Sequence, residues 1–120
     1  LEERVQKKLL PESKVSVKFE VRRPPLEATP ASRALAQHGV QIYKELDLPM
    51  KVVDRASGGG TDAAFAALKA RGPVIEGMGL SGFGAHSNDA EYIQINSIVP
   101  RLYLATRMIV DVSQDKAPMK

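Results

Sequence analysis

Three short stretches of this chain carry residues whose types and spacing could do chemistry. In Ser57-Gly58-Gly59-Gly60-Thr61-Asp62, three glycines run into the start of a helix. Without side chains the backbone N–H groups can approach a ligand, and a helix N-terminus favours a carboxylate or phosphate. The lysine and hydroxyl of a phosphate-binding loop are missing, and so is the dinucleotide pattern GxGxxG. The simpler reading is a tight turn with Thr61 as N-cap. In Gly82-Phe83-Gly84-Ala85-His86-Ser87-Asn88-Asp89-Ala90-Glu91, a histidine sits in a glycine-rich loop. His86 could ligate a metal, act as acid or base, or cap Asp89 or Glu91, and the capping or solvated role is the plainer one. A lone imidazole cannot hold zinc, and the HExxH pair is absent. The third candidate is Arg23, before Pro24-Pro25, whose planar guanidinium could grip a carboxylate through two hydrogen bonds or form an ordinary surface ion pair. His38 lies between Leu35 and Ile42 along a helical face and reads as a satisfied boundary histidine.

The elements that must position these groups follow from periodicity. Leu1, Val5 and Leu9 recur at helical spacing before Pro11, predicting a short helix that ends at Leu10-Pro11-Glu12-Ser13. Val15, Val17, Phe19 and Val21 alternate with Ser16, Lys18, Glu20 and Arg22, the period of a strand with one wet face. Arg23-Pro24-Pro25 ends it, and the stretch to Pro30 reads as a linker. Thr29-Pro30 opens a second helix with the stripe Leu35, Gly39, Ile42 and Leu46, stopped at Leu48-Pro49. Lys51 to Asp54 is a short strand candidate, Thr61 to Lys69 a helix with almost no polar face, and Pro73 to Glu76 a buried strand. Gly77 to Asn88 is a glycine-rich loop, and Ile98, Leu102, Ala105 and Ile109 form the core stripe of a last helix. From Thr29 onward this alternation is of the α/β kind and implies a largely parallel sheet covered on both faces. The first helix and alternating strand look like the end of a different layer.

Composition narrows the function classes. At 120 residues and 43% apolar content the chain has the length of one domain, which argues against intrinsic disorder. Its net charge of +3 is a small difference between 17 basic and 14 acidic residues, scattered along the chain, and aromatics are only 5%, so nucleic acid is not indicated. No cysteine is present, which excludes disulfides and thiolate metal sites and leaves His38 and His86 as the imidazoles for any transition metal. No apolar run approaches the length of a membrane span, and Leu1-Glu2-Glu3-Arg4 lacks the pattern of a signal peptide. The compartment, cytoplasmic or periplasmic, stays open. A first residue other than Met leaves room for an upstream segment.

In order along the chain, Arg23-Pro24, Gly58-Gly59-Gly60-Thr61-Asp62-Ala63-Ala64, Pro73-Val74-Ile75-Glu76, Gly82-Phe83-Gly84, His86-Ser87 through Ala90-Glu91-Tyr92, and Arg101-Leu102-Tyr103 resemble the C-terminal third of peptidase M20 zinc hydrolases, the glutamate carboxypeptidases above all. Members of that family have an α/β catalytic domain with two zinc ions and an inserted α+β lid that commonly forms a dimer. The resemblance therefore implies that residues 1–26 are the last helix and strand of the lid. Residues 27–120 become the C-terminal part of the catalytic domain, a mixed sheet with flanking helices. His86 falls on a zinc ligand, Arg23 on a lid arginine that binds substrate, and Gly59, Gly60 and Thr61 on the substrate pocket.

The implied reaction is hydrolysis of an amide or peptide bond by zinc-activated water, releasing C-terminal glutamate or a related amino acid. The family's glutamate base, its bridging aspartate and its other metal ligands lie in its N-terminal half, and nothing in residues 1–120 matches them. No catalytic residue is therefore assigned within this segment, which is expected to be inactive alone. Its implied partners are the N-terminal part of the same enzyme, a small peptide or N-acyl amino acid substrate, and a second copy joined through the lid. The competing readings are an M20 deacylase of N-acyl amino acids and a non-catalytic fragment that binds an anion or pairs with another chain through the strand Lys14 to Arg22.

Overall fold

The computed structural model describes residues 2–5, 10–53, 55 and 57–120. The architecture is mixed α and β, with four α-helices and a two-stranded antiparallel sheet among the described residues. Helix α1 spans Glu2–Val5, α2 Pro30–Lys44, α3 Asp62–Ala67 and α4 Ile98–Ser113; the strands are β1, Gly82–Phe83, and β2, Tyr92–Ile93.

Helix α2 begins where its sequence directs. The Thr29 hydroxyl oxygen accepts from the Ser32 N–H at 3.1 Å, and Pro30 occupies the first helical position, where a missing N–H costs nothing. Leu35, Ile42 and Tyr43 of α2 meet Leu104 and Met108 of α4 and Ala117 beyond it, with Met50, Ile75 and Met78 packed around them. Gly39 lets this crossing close, since a Cβ there would stand 3.1 Å from the Met50 methyl and 3.4 Å from a Leu104 methyl.

Both long helices end in the same turn. After α2, the Leu48 N–H reaches the Tyr43 carbonyl and the Asp47 N–H the Lys44 carbonyl; after α4, Lys116 and Asp115 repeat the pattern on Asp111 and Val112. The left-handed residue in each turn is an aspartate, Asp47 at φ 53° and Asp115 at φ 56°, where glycine is usual. A side chain in that conformation is strained, and a negative charge at a helix C-terminus opposes the dipole. Asp115→Gly is therefore expected to stabilise the chain by about 0.5–1 kcal/mol, measured as a higher urea midpoint with unchanged slope.

Several expected elements take other forms. Residues 15–21 form no strand, with Val15, Phe19 and Val21 exposed, because the described chain offers no second strand beside them. Residues 51–53 and 73–76 likewise form no strand; Pro73, Val74 and Ile75 are partly buried, and Asp54 lies outside the described residues. The expected parallel sheet is thus replaced by a hairpin, β1 and β2, inside and beyond the stretch read as a glycine loop. Leu1 and Leu9 of the first predicted stripe also lie outside the described residues. Helix α3 is shorter than expected and buries Ala64 alone, leaving Phe65 and Leu68 exposed. In α4 the helix is as predicted but the stripe is not: Leu104, Met108 and Asp111 face inward, while Leu102 and Ile109 are 66% and 70% exposed.

The molecule is open. Its radius of gyration is 19.8 Å, against about 14 Å for a compact domain of this length. Its accessible surface of 10217 Å² likewise exceeds the roughly 6,300 Å² of a compact chain of this mass. No helix among the described residues is long and apolar enough to cross a membrane.

Candidate functional site

Arg23 and the triple-glycine loop come together across 39 residues of sequence. One guanidinium nitrogen, Nη1, lies 3.5 Å from Asp62 Oδ1 at the start of α3, and the guanidinium carbon sits 6.0 Å from the Phe65 ring centroid. Gly60 makes room for the arginine stem, since a Cβ at that position would come within 3.0 Å of Arg23 Cδ. The ion pair is long and both partners are solvent-exposed, so it holds Arg23 loosely and leaves the rest of its fork open to solvent. Thr61 has a structural task here, its hydroxyl oxygen accepting from the Ala63 N–H at 3.1 Å. The cap reading of the glycine loop is therefore the observed one, and Gly59 stands exposed beside it.

His86 occupies the turn of the β1–β2 hairpin. The pair Gly82↔Ile93 and Phe83↔Tyr92 forms the ladder, and the two rings lie 6.2 Å apart. The hairpin is stapled to the entry of α4: Gln94 N–H donates to the Ser81 carbonyl, Ser81 N–H to Ser97 Oγ, and the Ser97 hydroxyl to the Gln94 carbonyl at 2.6 Å. Gly84 turns the chain at φ 72°, where a Cβ would run into the Ala90 carbonyl. Gly84→Ala is expected to cost about 1–3 kcal/mol through that clash and the left-handed backbone, read as loss of amide-exchange protection at β1 and β2. His86 is itself left-handed, at φ 68°, and exposed. Its imidazole bonds to neither Asp89 nor Glu91, so the capping role is not the one seen. Among the described residues no three His, Asp or Glu side chains gather in a way that could hold a metal ion. His86 thus offers one donor, and the described residues do not by themselves fit a zinc centre.

A second polar cluster went unforeseen. Asp111, 3% exposed, lies 2.8 Å from His38 Nε2 and accepts from Arg107 Nη1 at 3.1 Å. Arg107 Nη2 also donates to Glu45 Oε1 at 2.9 Å, and the Tyr103 hydroxyl donates to Glu45 Oε2 at 2.6 Å. The Tyr103 hydroxyl, and after it the Arg107 guanidinium, hold the Glu45 carboxyl below its ordinary range, and the same bond raises the Tyr103 phenol. His38 is the satisfied boundary histidine its position suggested. The signal that could have disclosed the rest is an acidic residue in the last turn of α4, four places after an arginine, where the helix dipole disfavours it.

Two features of this chain are candidates for binding: an arginine brought against a triple-glycine loop, and a single imidazole on a hairpin turn. No family model matches the chain. It is 47% identical over 116 residues, or 97% of its length, to carboxypeptidase G2 of Pseudomonas sp. (strain RS-16). The chain spans 28% of the length of that relative.

Proposed function

We propose that this chain is the C-terminal part of a metal-dependent hydrolase that cleaves an amide or peptide bond and releases a C-terminal glutamate or related amino acid. The observation that carries this reading is the 47% identity to a carboxypeptidase across nearly the whole chain. In this reading Arg23 receives the substrate carboxylate on the part of its fork that Asp62 leaves free. Gly59 and Gly60 keep that approach clear of side chains, and Thr61 holds the loop by capping α3. His86 contributes one donor to a zinc centre whose remaining donors come from outside these residues. When bound, zinc would supply Lewis-acid activation of water and carbonyl. Residues 1–26 belong to a lid and 27–120 to the catalytic domain, and the unpaired stretch Lys14 to Arg22 serves the dimer of lids.

The test is a chimera of carboxypeptidase G2 in which this chain replaces the segment it matches. It should release glutamate from an N-acyl glutamate, while the isolated 120-residue chain should neither do so nor bind zinc tightly. Tight zinc binding by the isolated chain would contradict the single-donor assignment. In the chimera, Arg23→Ala is expected to raise KM for acidic substrates about 10–100-fold, the loss of one charged hydrogen-bonded contact, with kcat little changed. An unchanged KM would remove Arg23 from the pocket, and equal turnover of acidic and neutral substrates would favour the deacylase reading.

A further inference from the structure

Arg23 is seated against three neighbours. Helix α3 begins at the Thr61 cap, so Asp62 and Phe65, three residues apart, fall on one face of its first turn, the face that meets the arginine. Asp62 Oδ1 takes Nη1 at 3.5 Å, the Phe65 ring lies under the guanidinium carbon at 6.0 Å, and the missing Cβ of Gly60 makes room for Cδ. These neighbours gather on one face and on the Nη1 side of the guanidinium. Among the described residues no acceptor lies on Nε or Nη2, the edge that can give a carboxylate two parallel hydrogen bonds. Phe65 is 44% exposed while its helix buries Ala64 instead, so the ring serves the arginine and not the core.

We propose that Phe65 and Asp62 are positioning residues that hold the Arg23 guanidinium with its Nε–Nη2 edge turned to a carboxylate-bearing substrate. This rests on the reading that Arg23 receives the substrate carboxylate. A free arginine samples many rotamers, and gripping a carboxylate through one chosen edge costs the freedom of its stem. A ring on one face and a single anion on one nitrogen remove part of that cost before substrate arrives. Asp62 suits this task because it binds weakly: at 3.5 Å and in solvent it directs the fork without competing strongly for it. A closer, bidentate partner would occupy the edge that substrate needs.

In the carboxypeptidase G2 chimera, Phe65→Leu and Asp62→Asn should each raise KM for an N-acyl glutamate about 2–5-fold with kcat little changed, the loss of one exposed contact. Phe65→Tyr, which keeps a ring, should leave KM close to that of the parent chimera, and a Tyr variant as impaired as the Leu variant would overturn the inference. In the Arg23→Ala background neither change should raise KM further, since both act through the arginine. A further rise there would overturn the inference by showing contact with substrate or damage to α3. So would an unchanged KM in either single variant while Arg23→Ala raises it, and Arg23 would then keep its role without this seat. If Arg23→Ala itself leaves KM unmoved, the reading of Arg23 falls and the inference with it. In the 120-residue chain, with no chimera needed, the Arg23 Hδ and Hε proton resonances should lie upfield under the Phe65 ring and return on Phe65→Leu. Resonances that do not move would overturn the inference whatever the kinetics.

Discussion

Asp111→Ala should cost about 2–3 kcal/mol, a large share of the stability of a small chain with an open structure. The carboxylate is almost completely buried between α2 and α4 and receives His38 on one oxygen and Arg107 on the other. Removing it leaves a guanidinium without its most buried partner, in a place where Arg107 Nε already has no hydrogen-bond acceptor. The loss falls below the full cost of breaking a buried pair because Arg107 is one-third exposed and keeps Glu45. Asp111→Asn, which retains an acceptor oxygen, should cost less, and a His38→Ala, Asp111→Ala cycle should show coupling above about 1 kcal/mol. Urea unfolding measures all three, and a loss below about 0.5 kcal/mol for Asp111→Ala would show that the cluster is merely tolerated.

The same cluster sets a pH dependence. The Tyr103 hydroxyl and then Arg107 hold the Glu45 carboxyl below its ordinary range, so its contribution is present above the ordinary value and disappears as pH falls through the folded pKa. Tyr103 is raised above 10.0, so its contribution is present below that value and is lost only as pH rises through the folded pKa. Tyr103→Phe removes the larger cause acting on Glu45, so less stability should be lost on acidification and that loss should be complete at a higher pH.

Local signals were legible where they could be satisfied locally. Thr29-Pro30 names the start of α2 because cap and proline act within one turn, and Thr61 caps α3 for the same reason. Strand alternation at Val15 to Val21 is equally clear, yet a strand needs a neighbour, and none lies within the described residues. In α4, periodicity identifies Ile98, Leu102 and Ile109 as apolar, but it cannot say which of the apolar faces meets α2. The hairpin was obscured by its own glycines, which look like a loop until Gly82 and Gly84 are seen to lie against the Tyr92 and Ala90 carbonyls. At the candidate site, Arg23 and Gly60 stand far apart in the sequence, and only the fold brings the arginine stem onto the glycine.

His86→Ala in the chimera is the most severe change expected, a loss of hydrolysis by at least about 10³-fold with metal content reduced and thermal unfolding little altered. The three readouts belong together. The ring is exposed on a hairpin turn and has no hydrogen-bond partner among the described residues, so its removal takes away no packing or pairing that holds this chain together. Alanine would still have to adopt the left-handed φ of 68°, a strain that histidine already bears, so the backbone cost should largely cancel. His86→Gly relieves that strain while also removing the imidazole, and it should be as inactive as the alanine variant if the ring is a metal donor. Recovery of turnover in the glycine variant would show that backbone shape at the turn, and not the imidazole, is what hydrolysis requires. Retention of full metal content by both variants would take His86 out of the centre, and Arg23 with its glycine loop would then be the remaining support for a substrate pocket in this segment.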